Sequence, residues 1–349
     1  MNIQKRKTTL KKLYLFLSLI FITSIFLSGC EQQKAHKSAD GKYETTELRY
    51  YSSPGAVSYP ELAEDLGYLG PIKLKNVGIP PSGGPQEIQN VVTEDVDFGS
   101  AFNGAIIKLI AAKAPIKSVI GTYGIDKDSW VGLMVLDNSP IKNAKDLIGK
   151  KVALNTLGAH GEYMLKEYLQ QNGLSKKEIS SITLVPVPLG NIEMALRHKQ
   201  VDAALFGGIF RDKAIQRGGI HPLVTDYDIF GNFTAGSYVM NKNFLKQNPN
   251  TSKKFIEGTA KAIEWAQTTP RDQVVDRFIK IVKKRDGANI DTSGINLWKS
   301  TGISGKGGLL KDKEFNIWID QLVKSGTLKN EQLSPQDVYT NDYNPYKNQ

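Results

Sequence analysis

From Glu47 to Asn241 the chain keeps changing its period: short apolar runs bounded by Gly, Pro and Ser alternate with stretches whose apolar residues recur three and four apart. ELRYY (47–51), IKLKNVGI (72–79), VDFGS (96–100), SVIGTY (118–123), WVGLMVL (130–136), KVALN (151–155), ITLVPV (182–187), DAALF (202–206), PLVTD (222–226) and GSYVMN (236–241) read as strands. Between them PQEIQNVVTE, AIIKLIAAKA, EYMLKEYLQQ and NIEMALRHKQ carry helical spacing. Such alternation predicts an α/β fold of parallel sheets with helices on both faces, because parallel neighbours need a crossover long enough to hold a helix.

After Met240 the alternation stops, and FLKQNPNTSKKFIEGTAKAIEWAQ, RDQVVDRFIKIVKKR and KDKEFNIWIDQLVKSG read as helices. In the last of these Phe315, Trp318, Ile319 and Leu322 share one face, which needs an existing lobe to pack against. One internal echo, V-D-F-G-S-A-F-N-G from 96 and V-D-A-A-L-F-G-G from 201, is offset by 105 residues and suggests two similarly built lobes; two ordinary helix-to-strand turns are the plainer alternative. Two lobes need two crossings, expected near Asp128–Trp130 and Asp226–Gly236. The expected bodies are residues 46–128 with 238–349, and residues 129–237.

The front end constrains location. Lys5, Arg6, Lys7, Lys11 and Lys12, with no acid among them, precede an apolar run of 15 residues from Leu13 to Leu27. That run falls short of the roughly 20 residues a membrane-spanning helix requires, and it ends in small residues, so residues 1–29 read as a secretory leader. Leu27-Ser28-Gly29-Cys30 resembles the bacterial lipobox, in which the cysteine is acylated and becomes the first residue. A thiolate is the best side-chain nucleophile for accepting a lipid, and two acyl chains hold a protein on a membrane where one does not. Residues 30–45 lack apolar periodicity and read as a flexible tether. The expected address is the extracytoplasmic face of the cell membrane.

Removing the leader takes five positive charges and lowers the net charge from +10 to +5. The lysines sit in mixed-sign stretches such as TSKKFIEGTAKAIEW, which read as solvated helix faces, so no nucleic-acid partner is expected. Cys30 is the only cysteine, so the exported body has no disulfide and depends on its core. Catalytic constellations are thin: the histidines are His36, His160, His198 and His221, there is no G-x-S-x-G or H-E-x-x-H, and TGISGKGG (301–308) lacks P-loop spacing. No catalytic residue, metal site or cofactor is assigned.

What remains is a set of small, polar turns at the carboxyl ends of strands, where ligands settle in open α/β sheets. Four stand out: Ser52-Ser53-Pro54-Gly55; Ser100-Ala101-Phe102-Asn103; Asn155-Thr156-Leu157-Gly158-Ala159-His160-Gly161; and Phe206-Gly207-Gly208. In the third, Thr156 or Asn155 is a candidate helix cap, and the glycines let backbone N–H groups approach an anion. His160 is a candidate donor or simply a first-turn polar residue. Trp130 is an apolar wall or a core aromatic. Arg211 is an anion partner or, more ordinarily, solvated on a helix surface. His198, among the charges of LRHKQ, is expected to face water.

VDFGSAFNGAII, KNAKDLIGKKVALNTLGAHGEYMLKEYL, VDAALFGGIF, GSYVMNKNFLKQNP and the AIEWAQ helix, together with the lipobox, resemble the solute-binding lipoproteins of ABC importers. The group is that of the nitrate, sulfonate, taurine and thiamine-precursor binders, and the resemblance covers roughly residues 46–345. It implies a two-lobed, periplasmic-binding-protein-like type II fold, each lobe a mainly parallel sheet flanked by helices, closing on a small solute. It also implies an ABC permease with its ATPase as partners, and a monomer. Carried over by position, the ligand contacts fall on Ser52, Ser53, Ser100, Asn103, Trp130, Thr156, Gly158, Ala159, His160 and Phe206, with Phe102 and Gly207 from the same turns. The expected solute is a small anion. A cationic or heteroaromatic solute would instead need a carboxylate in the cleft, with Glu162, Asp226 and Asp228 as candidates.

Overall fold

The computed structural model describes residues 41–349 apart from 81 and 82; the leader, Cys30 and the expected tether as far as residue 40 lie outside the described residues. Each of the ten apolar runs forms a strand: β1 (Glu47–Tyr50), β2 (Lys73–Asn76), β3 (Phe98–Phe102), β4 (Ile116–Ile125), β5 (Val131–Leu136), β6 (Lys151–Leu154), β7 (Thr183–Pro186), β8 (Ala203–Gly207), β9 (Ile220–Thr225) and β10 (Phe233–Asn241). The helices α1 (Tyr59–Asp65), α2 (Gly83–Val92) and α3 (Asn103–Ala111) are interleaved with β1–β4. Next, α4 (His160–Gln171), α5 (Lys176–Ser180), α6 (Leu189–Arg197), α7 (Gly208–Gln216) and α8 (Asp226–Phe230) are interleaved with β6–β10. The helical tail supplies α9 (Lys242–Gln247), α10 (Pro249–Thr268), α11 (Arg271–Asp286), α12 (Lys313–Lys324) and α13 (Pro335–Val338).

The strands make two similarly ordered sheets. One runs β7-β6-β8-β5-β9. The other contains β3-β10-β4, and the parallel pair β2-β1 lies beside it: Asp97 N–H donates to the Arg49 carbonyl (3.0 Å) and the Arg49 N–H to the Asp97 carboxylate (2.6 Å). Alternation alone predicts parallel pairing, and β6 is parallel to β7 and β8. The exceptions are β5, antiparallel to β8 and β9, and β10, antiparallel to β3 and β4. These are the first strands after each crossing. A chain arriving from the other sheet enters at the carboxyl ends of the strands it joins, so it can only run against them. The echo at residues 96 and 201 falls on β3 and β8, which hold the same place in the two sheets, each next to a crossing strand.

Every residue of β10 is buried, which requires cover on both faces. Its alternate side chains divide accordingly: Tyr238 and Met240 enter a core with Phe98, Phe255 and Ile263, while Phe233, Ala235 and Val239 enter one with Ile106, Phe315 and Trp318. In the other sheet, Leu133 and Val135 face Leu154, Met164 and Leu169, while Met134 faces Ile192, Leu196 and Phe206. Several helix starts are set locally by capping boxes, Ser58 with Glu61 at α1, Ser175 with Glu178 at α5 and Thr225 with Asp228 at α8. The tail helix α12 buries Phe315, Trp318 and Leu322 as its one-face pattern requires.

One boundary moves. Residues 43–45, counted with the tether, are packed: Tyr43 is buried in the first core, the Glu44 carboxylate accepts from Thr251 N–H (3.0 Å), and Thr45 N–H donates to the Thr251 hydroxyl (3.2 Å). Their polar composition hides one anchoring aromatic.

Candidate ligand-binding cleft

Toward the carboxyl ends of β1, β3 and β4 lies a cavity of about 190 Å³ lined by Tyr50, Ser52, Ser53, Tyr59, Glu87, Ser100, Thr122 and Tyr238 among others. A second cavity, of about 270 Å³, shares Ala56, Val57, Tyr59 and Thr122 with it. This second space is also lined by Tyr123, by Asp128 and Ser129 of the first crossing, by Gly208, Ile209, Arg211 and Asp212 of α7, and by residues 294–301 excluding Asn296. The two spaces thus adjoin along these four residues, and the second is lined both from β4 of one sheet and from the helix that follows β8 of the other.

The N-terminus of α7 opens onto this space. Its cap, Gly207, has no side chain to satisfy the first-turn N–H groups, and a Cβ there would stand 2.9 Å from the Trp130 carbonyl oxygen. Gly208 has φ +57°, a conformation that favours glycine. Arg211, three residues on, is buried rather than solvated on the helix surface. Its guanidinium donates to the carbonyls of Trp130 (2.8 Å) and Asp128 (3.1 Å), pairs with Asp212 (2.7 Å) and lies over the Trp130 ring at 4.2 Å. Trp130 is thus held as a plate under a cation, and Arg211 fixes the first crossing.

The turn at 155–161 is arranged otherwise than its residues suggest. The cap of α4 is Ala159, which makes no side-chain hydrogen bond, so neither Asn155 nor Thr156 serves. Glu162 reaches back instead and accepts from Gly158 N–H at 2.8 Å, satisfying one free N–H of this end. His160 is buried, stacked on Phe102 with ring centres 5.1 Å apart and planes 3° from parallel. Its Nε2 lies 3.3 Å from Asp226 Oδ2, but neither atom makes a hydrogen bond among the described residues. Burial lowers the His160 pKa to about 4 and raises that of Asp226 to about 7, the latter against the pull of Val131 N–H, which donates to Asp226 Oδ1 at 2.9 Å. The histidine is held neutral.

Three other expected contacts are turned inward. Asn103 is fully buried; its amide donates to the Thr234 carbonyl (3.0 Å) and accepts from the Ser237 hydroxyl (2.6 Å), so it ties α3 to β10. Phe206 is 1% exposed, on the face of β8 that packs against Ile192, Leu196 and Ala214, while Leu205 faces the other core. Phe102 is covered by His160, Tyr163 and Trp318. Ser52, Ser53 and Ser100 line the first cavity.

The candidate carboxylates are all engaged: Glu162 with Gly158 and Lys166, Asp228 in the cap of α8, and Asp226 beside His160. A carboxylate without an ion-pair partner among the described residues that lines the first cavity is Glu87 of α2, which sequence reading missed because a glutamate in an amphipathic helix reads as solvent-facing. The available signal was Gly99 in VDFGS, since a strand glycine marks a close approach: a Cβ at Gly99 would lie 3.0 Å from Glu87 Cγ. Glu87 accepts the Ser100 N–H at 2.9 Å, and its burial raises its pKa to about 7.

Comparison with known proteins bears on the fold and the family. A putative aliphatic sulfonates-binding protein of Escherichia coli strain K12 is 27% identical over 190 residues, which span 54% of this chain and 56% of that protein. Among solved structures, the periplasmic aliphatic sulphonate binding protein SsuA from Escherichia coli superposes with a TM-score of 0.64 at 20% identity, covering 84% of this chain and 92% of that one. The periplasmic nitrate-binding protein NrtA from Synechocystis PCC 6803 does so with a TM-score of 0.61 at 13% identity, covering 83% and 84%. These likenesses show the periplasmic-binding-protein fold. The profile of the family described as NMT1/THI5 like matches residues 62–273, well over half of the sequence, and this chain belongs to that family.

Proposed function

We propose that this protein is the extracytoplasmic solute-binding component of an ABC importer, trapping a small sulfonate-, nitrate- or taurine-like solute between two lobes and handing it to a permease driven by its ATPase. The observation that carries the reading is the pair of adjoining cavities, the second of them lined both by β4 and by the start of α7. In this reading the lobes are residues 46–128 with 238–349, and residues 129–237. The solute's anionic group sits at the uncapped start of α7, where free N–H groups and the helix dipole favour negative charge. Closure follows from differential affinity, since a solute touching both lobes binds the closed form more tightly than the open one. A heteroaromatic, thiamine-precursor-like solute in the same cleft is a second reading, favoured by Tyr50, Tyr59 and Tyr238 beside Glu87 in the first cavity.

The protein is read as a binder rather than an enzyme, the first cavity presenting the hydroxyls of Ser52, Ser53, Ser100 and Thr122, and as a monomer. Mass spectrometry of the gently unfolded protein, purified from its own cells, is expected to release a small organic solute that leaves calorimetric titration unchanged chemically. Release of a chemically converted product, or no calorimetric binding of any sulfonate, nitrate or carboxylate, would count against the reading. Acylated Cys30 would keep the trap at the cell surface, and Cys30→Ala is expected to move the protein into the medium without altering solute affinity.

A further inference from the structure

We infer that the solute carries an ammonium group seated against Glu87 in the hydroxyl-lined cavity at the ends of β1, β3 and β4. The inference rests on the solute-binding reading and narrows its chemistry, making Glu87 the residue that selects the solute's cationic end.

The charge inventory of the cavity supports this. Two carboxylates line it, Glu61 and Glu87, and no lysine, arginine or histidine does. Glu61 is already neutralised: Arg285 pairs with it at 2.5 Å, the Tyr50 hydroxyl donates to it at 2.7 Å, and it accepts from Ser58 N–H at 2.8 Å. Glu87 has no such partner. Among the described residues it forms no ion pair, and its one hydrogen bond is from Ser100 N–H to Oε1 at 2.9 Å, which leaves Oε2 without a donor. A half-buried carboxylate facing a cavity with no compensating cation is costly to keep ionised, and burial does raise its pKa to about 7. A primary ammonium, with three N–H donors, supplies what the site lacks: one bond to Glu87 Oε2, and others to hydroxyls such as those of Ser52 and Tyr59 that line the same space.

The backbone is built to leave that carboxylate there. Gly99 stands opposite Glu87, and any larger residue would press on Glu87 Cγ and Oε1, at 3.0 and 3.2 Å from an added Cβ. Gly84, in the same helix, lets α2 approach β3, since its Cβ would meet Ala101 Cα at 2.9 Å. Two glycines on one helix–strand contact thus set how far Glu87 reaches into the cavity. A sulfonate or nitrate alone brings no donor to Oε2; a molecule with an anionic group and an ammonium at its other end does.

The test uses the full-length chain, purified from membranes in detergent, and calorimetry with matched pairs in which a terminal ammonium is replaced by methyl: 2-aminoethanesulfonate against 1-propanesulfonate, and 3-aminopropanesulfonate against 1-butanesulfonate. The ammonium member of at least one pair is expected to bind about tenfold or more tightly than its methyl partner, the scale of one charge-assisted hydrogen bond. In Glu87→Gln, which keeps an oxygen for Ser100 N–H, the preference is expected to shrink to about twofold or less. A melt at pH 5 confirms that the variant is folded. Equal or tighter binding of the methyl members, or a preference that survives in Glu87→Gln, overturns the inference and leaves the solute-binding reading standing. Binding by neither member of either pair overturns the inference together with the sulfonate-like class of solute.

Discussion

Asp226 and His160 show how burial, rather than partner choice, sets the behaviour of single residues here. The pair holds the same number of protons whether written as an ion pair or as a neutral acid beside a neutral imidazole. With both groups desolvated, the neutral form is favoured. The two groups pull stability in opposite directions with pH. The pKa of Asp226 rises from 3.8 to about 7, so its contribution is full below 3.8 and is lost as pH rises toward 7. The pKa of His160 falls from 6.5 to about 4, so its contribution is full above 6.5 and is lost as pH falls toward 4. Asp226→Asn keeps an acceptor for Val131 N–H, offers His160 a donor and removes only the first dependence. Its unfolding free energy is expected to match the native protein near pH 4 and to exceed it at pH 8 by at least about 1 kcal/mol. Denaturant titration at the two pH values checks this; lower stability at pH 8 would show that the charged carboxylate is needed. At this scale the sequence was a partial guide. Ser52, Ser53 and Ser100, read as small polar groups at strand ends, line the first cavity. Asn103 and Phe206 share the same local signature, and only the packing of α3 on β10 and the side on which β8 presents its residues distinguish them. Glu87 was invisible because its position depends on how closely a helix approaches a strand twelve residues on.

Elements, by contrast, were written plainly. Every apolar run became a strand because period and length suffice when strands are short and bounded by breakers. The direction of β5 and β10 was not, since pairing direction is a property of where a chain re-enters a sheet. The long-range closeness of β4 to the segment at 301–304 was also hidden. There Gly124 and Gly302 face one another so tightly that a Cβ on Gly124 would fall 2.1 Å from the Gly302 carbonyl oxygen, and a Cβ on Gly302, at φ +64°, 2.2 Å from that of Gly124. Both obstacles are backbone, which cannot swing aside as a flexible side chain can. Gly124→Ala is therefore expected to push the 301–304 segment off β4, breaking the Ser304 N–H bond to the Thr234 hydroxyl (3.1 Å), at a cost of about 1–3 kcal/mol or more. A melting curve checks the cost, and hydrogen exchange at Ile303 and Ser304 checks the place. A variant as stable and as protected as the native chain would mean that β4 yields instead.

For the whole molecule, the contacts between residues 129–237 and the rest of the described chain are of two kinds. On one side Phe102, Tyr163, Phe230 and Trp318 pack edge to face, with His160 stacked flat on Phe102, Trp318 fully buried and Gln321 donating to the Tyr163 carbonyl at 3.2 Å. Separating these would expose large apolar area, so that edge is the natural pivot. On the other side the contacts are a Lys299–Asp212 pair at 3.3 Å, a Lys213–Ser293 bond at 3.4 Å and Ile209 against Gly294. Lys299 is 48% exposed, and an exposed pair of this sort contributes about 0–1 kcal/mol. On the proposed two-lobe reading, the motion opens at α7 and the 293–299 segment, with the aromatic side held together. Lys299→Ala removes part of the closing contact without touching either core. It is expected to weaken solute affinity about two- to fivefold, through faster release, while leaving the melting temperature of the solute-free protein within about 1 °C of native. Added salt should weaken the native protein's affinity toward that of the variant, because screening acts on the same pair. Small-angle scattering in saturating 2-aminoethanesulfonate, against the solute-free protein, measures the closure itself. If Lys299→Ala changes neither release rate nor radius of gyration, the opening edge lies elsewhere and the aromatic cluster is not the pivot.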